Sequence, residues 1–136
     1  MPPKTLLDTD ILSAIMRQQP EAVAQARAYL SAHGRLTFSL ITRYEILRGL
    51  KAKGATTQLV AFEQFCVANE ILPLEANVIE RATDIYADLH RRGQLIGDAD
   101  ILIAATALEK GLVLVTNNEN HFGRVTGLSV ENWLKT

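Results

Sequence analysis

Five carboxylates and a short polar segment stand at positions where chemistry is possible. Asp8 and Asp10 sit one residue apart in LLDTDIL, where an apolar run ends. Glu45 lies within TRYEILRGL, and Asp98 and Asp100 open GDADILIAATAL. Thr116, Asn117 and Asn118 directly follow the apolar run LVLV. Carboxylates brought together repel, and hold their protons more tightly, unless a cation neutralises them. Hard oxygen donors from Asp and Glu suit Mg²⁺ or Mn²⁺. Such an ion can activate water and stabilise the charge on a phosphodiester under in-line attack.

Asp100 is the most telling acid. At helical spacing it shares a face with Ile103, Ala104 and Ala107. The helix it opens is apolar nearly all round, which predicts a central, buried element. An ionised carboxylate buried there is costly without a partner or a metal. Asp8, at the end of a strand, also favours function. The others have plainer readings. Asp10 supports the start of a helix, where negative charge meets the dipole's positive end. Asp98 is placed as a helix N-cap, and divides evenly between that role and metal ligation. Glu45, taken alone, reads as a helix-face partner for Arg48 or Lys51. Asn117 and Asn118 read as turn residues.

The elements that must position these groups alternate between strand and helix. Thr5–Leu7, Leu36–Phe38, Ile71–Leu74 and Leu112–Val115 read as short buried strands, with Leu128–Val130 as a last one. Pro73 assigns the third strand to an edge. Helices are expected over Asp10–Arg17, from Pro20 to Gly34, from Ser39 or Thr42 to Gly54, and from Thr56 or Thr57 to Asn69. A long helix follows from Glu75 to about Arg92, with Val78, Ile79, Ala82, Ile85, Tyr86 and Leu89 inward. Asp98–Lys110 is a further helix. The pattern predicts an α/β fold of three layers, a central and mostly parallel sheet covered by helices on both faces. Ligands of such sheets bind at the carboxyl ends of the strands, where strand order reverses.

The 136 residues have the size of one domain, read as residues 1–136, and a 48% hydrophobic content argues for a packed core. A net charge of −1 gives no overall basic field, so nucleic acid would need a local patch. Arg43, Arg48, Lys51 and Lys53 on one helix, with Arg91 and Arg92 before the Asp98 loop, could supply phosphate contacts. Singly, each reads as part of a solvated face. The one cysteine, Cys66, excludes a disulfide within the chain and suits the cytoplasm. No signal-peptide pattern opens the sequence, and the longest apolar run is too short to span a bilayer, so no membrane association is expected.

Taken in order, LLDTDIL, SLITRYEILRGL, IGDADILIAATAL, LVTNNENHF and GLSVENW resemble the PIN-domain ribonucleases, in particular the VapC-type toxins of bacterial toxin–antitoxin pairs. Each motif alone is weak; the ordered set is specific. The resemblance implies a PIN-like fold and puts the family's acids on Asp8, Glu45 and Asp100. These would hold Mg²⁺ or Mn²⁺ for RNA hydrolysis, with Asp98 able to join the metal shell. It implies that Thr116, Asn117 and Asn118 help hold water or metal, and that the products carry a 5′-phosphate and a 3′-hydroxyl. It also implies tRNA as an RNA substrate, a cognate antitoxin whose tail covers the acidic pocket, a homodimer and a toxin–antitoxin hetero-oligomer. Ile15, Met16, Tyr29, Leu59 and Phe62 could serve those protein contacts, or belong to the core. Two departures stand out. Many relatives carry Asn where this chain has Asp10, and an acid where it has His121.

Two other readings compete. A haloacid-dehalogenase-like phosphatase would use Asp8 as nucleophile and Asp10 as acid/base, with Gly97-Asp98-Ala99-Asp100 as a partial echo of its later loop. A non-catalytic interaction module would keep the fold without the chemistry.

Overall fold

A computed structural model of the chain describes residues 2–135. Its strands are β1 (Thr5–Leu7), β2 (Thr37–Ser39), β3 (Glu70–Leu72), β4 (Val113–Val115) and β5 (Val130–Glu131). All four neighbouring pairs are parallel, in the order β3-β2-β1-β4-β5. The chain works outward from β1 to β3 on one side and then continues with β4 and β5 on the other. Strand order therefore reverses between β1 and β4, and Leu7 pairs there with Val115.

Side chains alternate across a strand. Leu6 and Leu114 face one layer of helices, made by α5 (Ala76–Arg91), α6 (Asp98–Lys110) and the short α7 (Glu119–Phe122). Leu7, Phe38 and Val115 face the other, made by α1 (Thr9–Met16), α2 (Pro20–His33), α3 (Leu40–Lys53) and α4 (Thr56–Ala68). With both faces covered, Leu6, Leu7, Phe38, Leu114 and Val115 at the centre of the sheet are all fully buried, as expected of a parallel sheet. The sheet is thus wholly rather than mostly parallel, and β3 is an edge strand that ends just before Pro73.

Local chemistry sets the helix ends. The Ser39 hydroxyl accepts from Thr42 N at 3.2 Å and starts α3. Gly54 and Gly111 close α3 and α6 at φ 64°, a left-handed conformation that glycine adopts at little cost. Asp8 is the N-cap of α1, and Asp10 lies in its first turn as expected. Three expectations are corrected. Gly97, not Asp98, is the N-cap of α6. Neither Thr56 nor Thr57 caps α4, whose N-cap is Ala55. On α5, Val78, Ala82, Ile85 and Leu89 are buried, but Ile79 and Tyr86 are 43% and 45% exposed. Each lies one residue, about 100° of helix, beyond a buried neighbour. Tyr29 and Phe62 are core residues rather than contact residues. Tyr29 Oη accepts from Thr5 N at 3.3 Å, and Phe62 stands 6.4 Å from both Phe38 and Phe65.

Candidate functional site

Asp8 leaves β1 at the point of strand reversal. Its backbone N–H donates to Val115 O at 2.9 Å, which ties it to β4. Its side chain is then committed on both oxygens. Oδ1 accepts from Thr9 N at 2.8 Å, and Oδ2 accepts from the Thr116 hydroxyl at 2.7 Å. Asp8 is only 6% exposed. Burial, then the charge of Asp10, pushes its carboxyl up to about 7; the Thr116 and Thr9 bonds oppose this, and Asp100 adds to it.

Asp10 is no bystander at the helix start. Its Oδ2 accepts from Asn117 N at 3.0 Å, so it pins the loop after β4 against the first turn of α1. Its Oδ1 is buried with no hydrogen-bond partner. Burial holds this carboxyl above its ordinary range.

Glu45 comes from α3, and is more than a helix-face partner for Arg48. Its Oε1 accepts from the Thr9 hydroxyl at 2.6 Å, and Thr9 lies 3.1 Å from the Thr42 hydroxyl. Arg48 is a looser companion at 3.8 Å, with its guanidinium 5.2 Å over the Tyr44 ring. Thr9, between the two aspartates of LLDTDIL, thus joins the β1 end to α3. Its place between two acids was the only sequence signal for that role.

Asp100 enters from the opposite layer, in the first turn of α6. Ile101 and the run from Ile103 to Ala107 are buried, but Asp100 itself is partly exposed, because the first turn emerges at the sheet's edge. Its Oδ2 lies 3.3 Å from His121 Nδ1 on α7. Asn118 Nδ2 reaches the same nitrogen at 2.8 Å, and Asn118 N donates to the Thr116 hydroxyl at 2.9 Å. Asp8, Thr116, Asn118, His121 and Asp100 therefore form one chain of polar contacts around the site.

The remaining candidates are more dispersed. Asp98 is exposed at the start of α6. Arg43 is engaged by Glu63 at 2.8 Å, and Arg92 by Asp88 at 2.6 Å and by Arg124 O at 2.7 Å. Lys51 and Arg91 are exposed. Lys53 lines a cavity of about 500 Å³ beside Glu45, whose walls include Thr9, Met16, Ile46 and Phe62.

Among the described residues, no three Asp, Glu, His or Cys side chains converge tightly enough to enclose an ion. The donor chemistry nevertheless fits a hard divalent cation. Burial and the charges of Asp10 and Asp100 raise the proton affinity of Asp8, burial and Asp100 raise that of Asp10, and one buried carboxylate oxygen, Asp10 Oδ1, lacks a partner. A cation relieves both conditions.

Residues 5–128 match the family described as PIN domain. The chain is 33% identical over 131 residues to the tRNA(fMet)-specific endonuclease VapC of Shigella flexneri, covering 96% of this chain and 98% of that one. It is 33% identical over 132 residues, with the same coverage, to Ribonuclease VapC2 of Haemophilus influenzae. Among solved structures, DNA-bound VapBC from Salmonella typhimurium superposes with a TM-score of 0.85 at 30% identity, over 97% of this chain and 99% of that one. On the sheet order, the strand-end acids and these likenesses together, the chain belongs to the PIN-domain family and is similar to the VapC ribonucleases over nearly its entire length.

Proposed function

We propose that this protein is a metal-dependent endoribonuclease and the toxin of a VapBC-type pair, acting in the cytoplasm on RNA, with tRNA as the substrate class. The observation that carries the reading is the delivery of Asp8, Glu45 and Asp100 to one sheet edge by three different elements, at the point of strand reversal. Asp8, Glu45 and Asp100 would hold Mg²⁺ or Mn²⁺, with Asp98 at the approach. When bound, the ion supplies positive charge that makes water more acidic and offsets charge growing at phosphorus.

The protein's own groups do the rest. Thr116 and Thr9 orient Asp8, and Thr9 orients Glu45 through its hydroxyl. Asp10 fixes the Asn117 backbone, which sets the loop carrying Asn118. Water attacks phosphorus, a carboxylate of the set takes its proton, and the bond from phosphorus to the 3′-oxygen breaks. That oxygen takes up a proton, leaving a 3′-hydroxyl and a 5′-phosphate.

The partner is an antitoxin whose tail covers the acids, with homodimers of the toxin inside a larger toxin–antitoxin assembly. VapBC complexes among the structural relatives support the antitoxin partner and the hetero-oligomer, and the cavity beside Glu45 offers a tail somewhere to bury apolar side chains. The phosphatase reading is set aside. Its second acidic loop follows a strand, whereas Asp98 and Asp100 here follow the segment that leaves α5. Cleavage of a total tRNA pool tests the proposal. Wild type with Mg²⁺ should give discrete fragments that EDTA, Asp8→Asn and Asp100→Asn each abolish. Equal cleavage by wild type and Asp8→Asn would overturn it.

A further inference from the structure

His121 occupies the site's edge without a role in the mechanism above. We propose that His121 supplies an imidazole nitrogen to the divalent ion alongside Asp100, giving this site a preference for Mn²⁺ over Mg²⁺. The inference rests on the proposed nuclease reading, since it concerns the same ion.

The geometry comes first. Two donors at neighbouring corners of an octahedral ion with bonds of about 2.1 Å lie roughly 3 Å apart. His121 Nδ1 and Asp100 Oδ2 lie 3.3 Å apart. The ring is also held in place. It rides on α7, whose Phe122 is buried, and Asn118 Nδ2 contacts Nδ1 at 2.8 Å. In the tautomer protonated on Nε2, Nδ1 offers its lone pair beside Asp100 Oδ2. An ion drawing on both atoms takes up that lone pair, and the Asn118 amide is released from the ring.

The choice of metal follows from donor type. Carboxylates suit Mg²⁺ and Mn²⁺ alike, whereas an imidazole nitrogen suits transition ions and is a poor ligand for Mg²⁺. An imidazole donor at His121 therefore moves the site along that scale, toward Mn²⁺.

The test reads the bond rather than turnover. Mn²⁺ bound to the purified protein should show ¹⁴N modulation in electron spin-echo spectra. Growing the wild-type protein on ¹⁵N-histidine should change that modulation without altering any residue. His121→Asp should bind Mn²⁺ with no such signal. By calorimetry, its ratio of Mn²⁺ to Mg²⁺ affinity should fall at least about tenfold, the lower end of what metal-site partners contribute. Mn²⁺ binding that Asp8→Asn abolishes but that carries no ¹⁴N signal would overturn this inference and leave the nuclease reading standing. A ¹⁴N signal that persists in His121→Asp would place the ion on His33 or His90 and also overturn it. No binding of either ion at millimolar concentration would overturn both.

Discussion

Replacing Asp8 by Asn should stabilise the metal-free protein at alkaline pH while abolishing its activity. The Asp8 carboxyl titrates near 7 in the folded chain against 3.8 ordinarily, chiefly because it is buried and faces Asp10. Between those values the folded state holds a proton that the unfolded chain has lost. Stability therefore falls as pH rises from about 4 to about 7, and levels off above. The ionised carboxylate at pH 8 thus costs the fold about 4 kcal/mol. Asn removes that cost and keeps the acceptor for Thr9 N. It also turns an amide toward Thr116 Oγ1, so the Thr116 proton loses its acceptor, a loss of about 1 kcal/mol. The net gain at pH 8 is about 3 kcal/mol, or roughly 10 °C in Tm for a chain of this size. Thermal unfolding followed by circular dichroism in EDTA, at pH 5 and pH 8, reads it directly. The gain should be clearly smaller at pH 5, where wild-type Asp8 keeps its proton. An Asn variant less stable than wild type at pH 8, or a difference that does not change with pH, would refute the electrostatic account of this site.

Three further outcomes follow from the same geometry. Thr9→Val removes the hydroxyl that orients Glu45, and should lower RNA cleavage by about 10- to 100-fold, the usual loss for a group that orients a metal ligand; Thr9→Ser should restore most of it in the same gel assay. Asp10→Asn keeps an acceptor for Asn117 N and relieves repulsion at Asp8, so it should cleave RNA and melt higher at pH 8, whereas Asp100→Asn should be inactive. The reverse pattern would return the phosphatase reading. Gly123 ends α7 with its N–H on Glu119 O at 2.8 Å, and an added Cβ would also lie 2.8 Å from that oxygen. Gly123→Ala should therefore cost about 1–3 kcal/mol in urea unfolding and displace His121, seen as a weakened ¹⁴N signal from bound Mn²⁺.

The fold was largely legible because its signals are local. Short apolar runs such as LVLV, glycines at helix ends and the apolar run after Asp100 each act within a few residues. What was not legible depends on distant partners. Glu45 looks like a surface acid on its own helix, and only folding brings Thr9, 36 residues away, against it. Asp10 is bonded to Asn117, 107 residues away, so no period in the sequence could separate its role from helix capping. The roles of Asp8 and Asp10 were divided too sharply for the same reason. One side chain both caps α1 and faces the site, because a helix N-terminus and the sheet's ligand edge are here the same place. His121 showed itself only as a departure from the family's acid, and the short helix that carries it was not anticipated.

The partners of these acids also explain why the site invites a cation from outside. Thr9, Thr116, Asn117 and Asn118 are neutral donors, and they place the carboxylates and their neighbours without cancelling charge. Among the described residues, of Asp8, Asp10, Glu45 and Asp100 only Glu45 has an Arg or Lys within ion-pair distance, and that Arg48 stands at 3.8 Å with an exposed side chain. Elsewhere the protein pairs its acids readily, as at Asp88 with Arg92 and Glu109 with Arg81. Neutral hydroxyls and amides lower a carboxylate's proton affinity less than a nearby cation does, and at Asp8 they lose to burial and repulsion. The fold therefore holds several acids in place and leaves their charge uncompensated. In the proposed reaction a divalent ion would answer that charge, and a basic side chain from a bound antitoxin would answer it during inhibition. Both would draw on the same electrostatic deficit, so antitoxin binding and metal binding should oppose each other at this edge of the sheet.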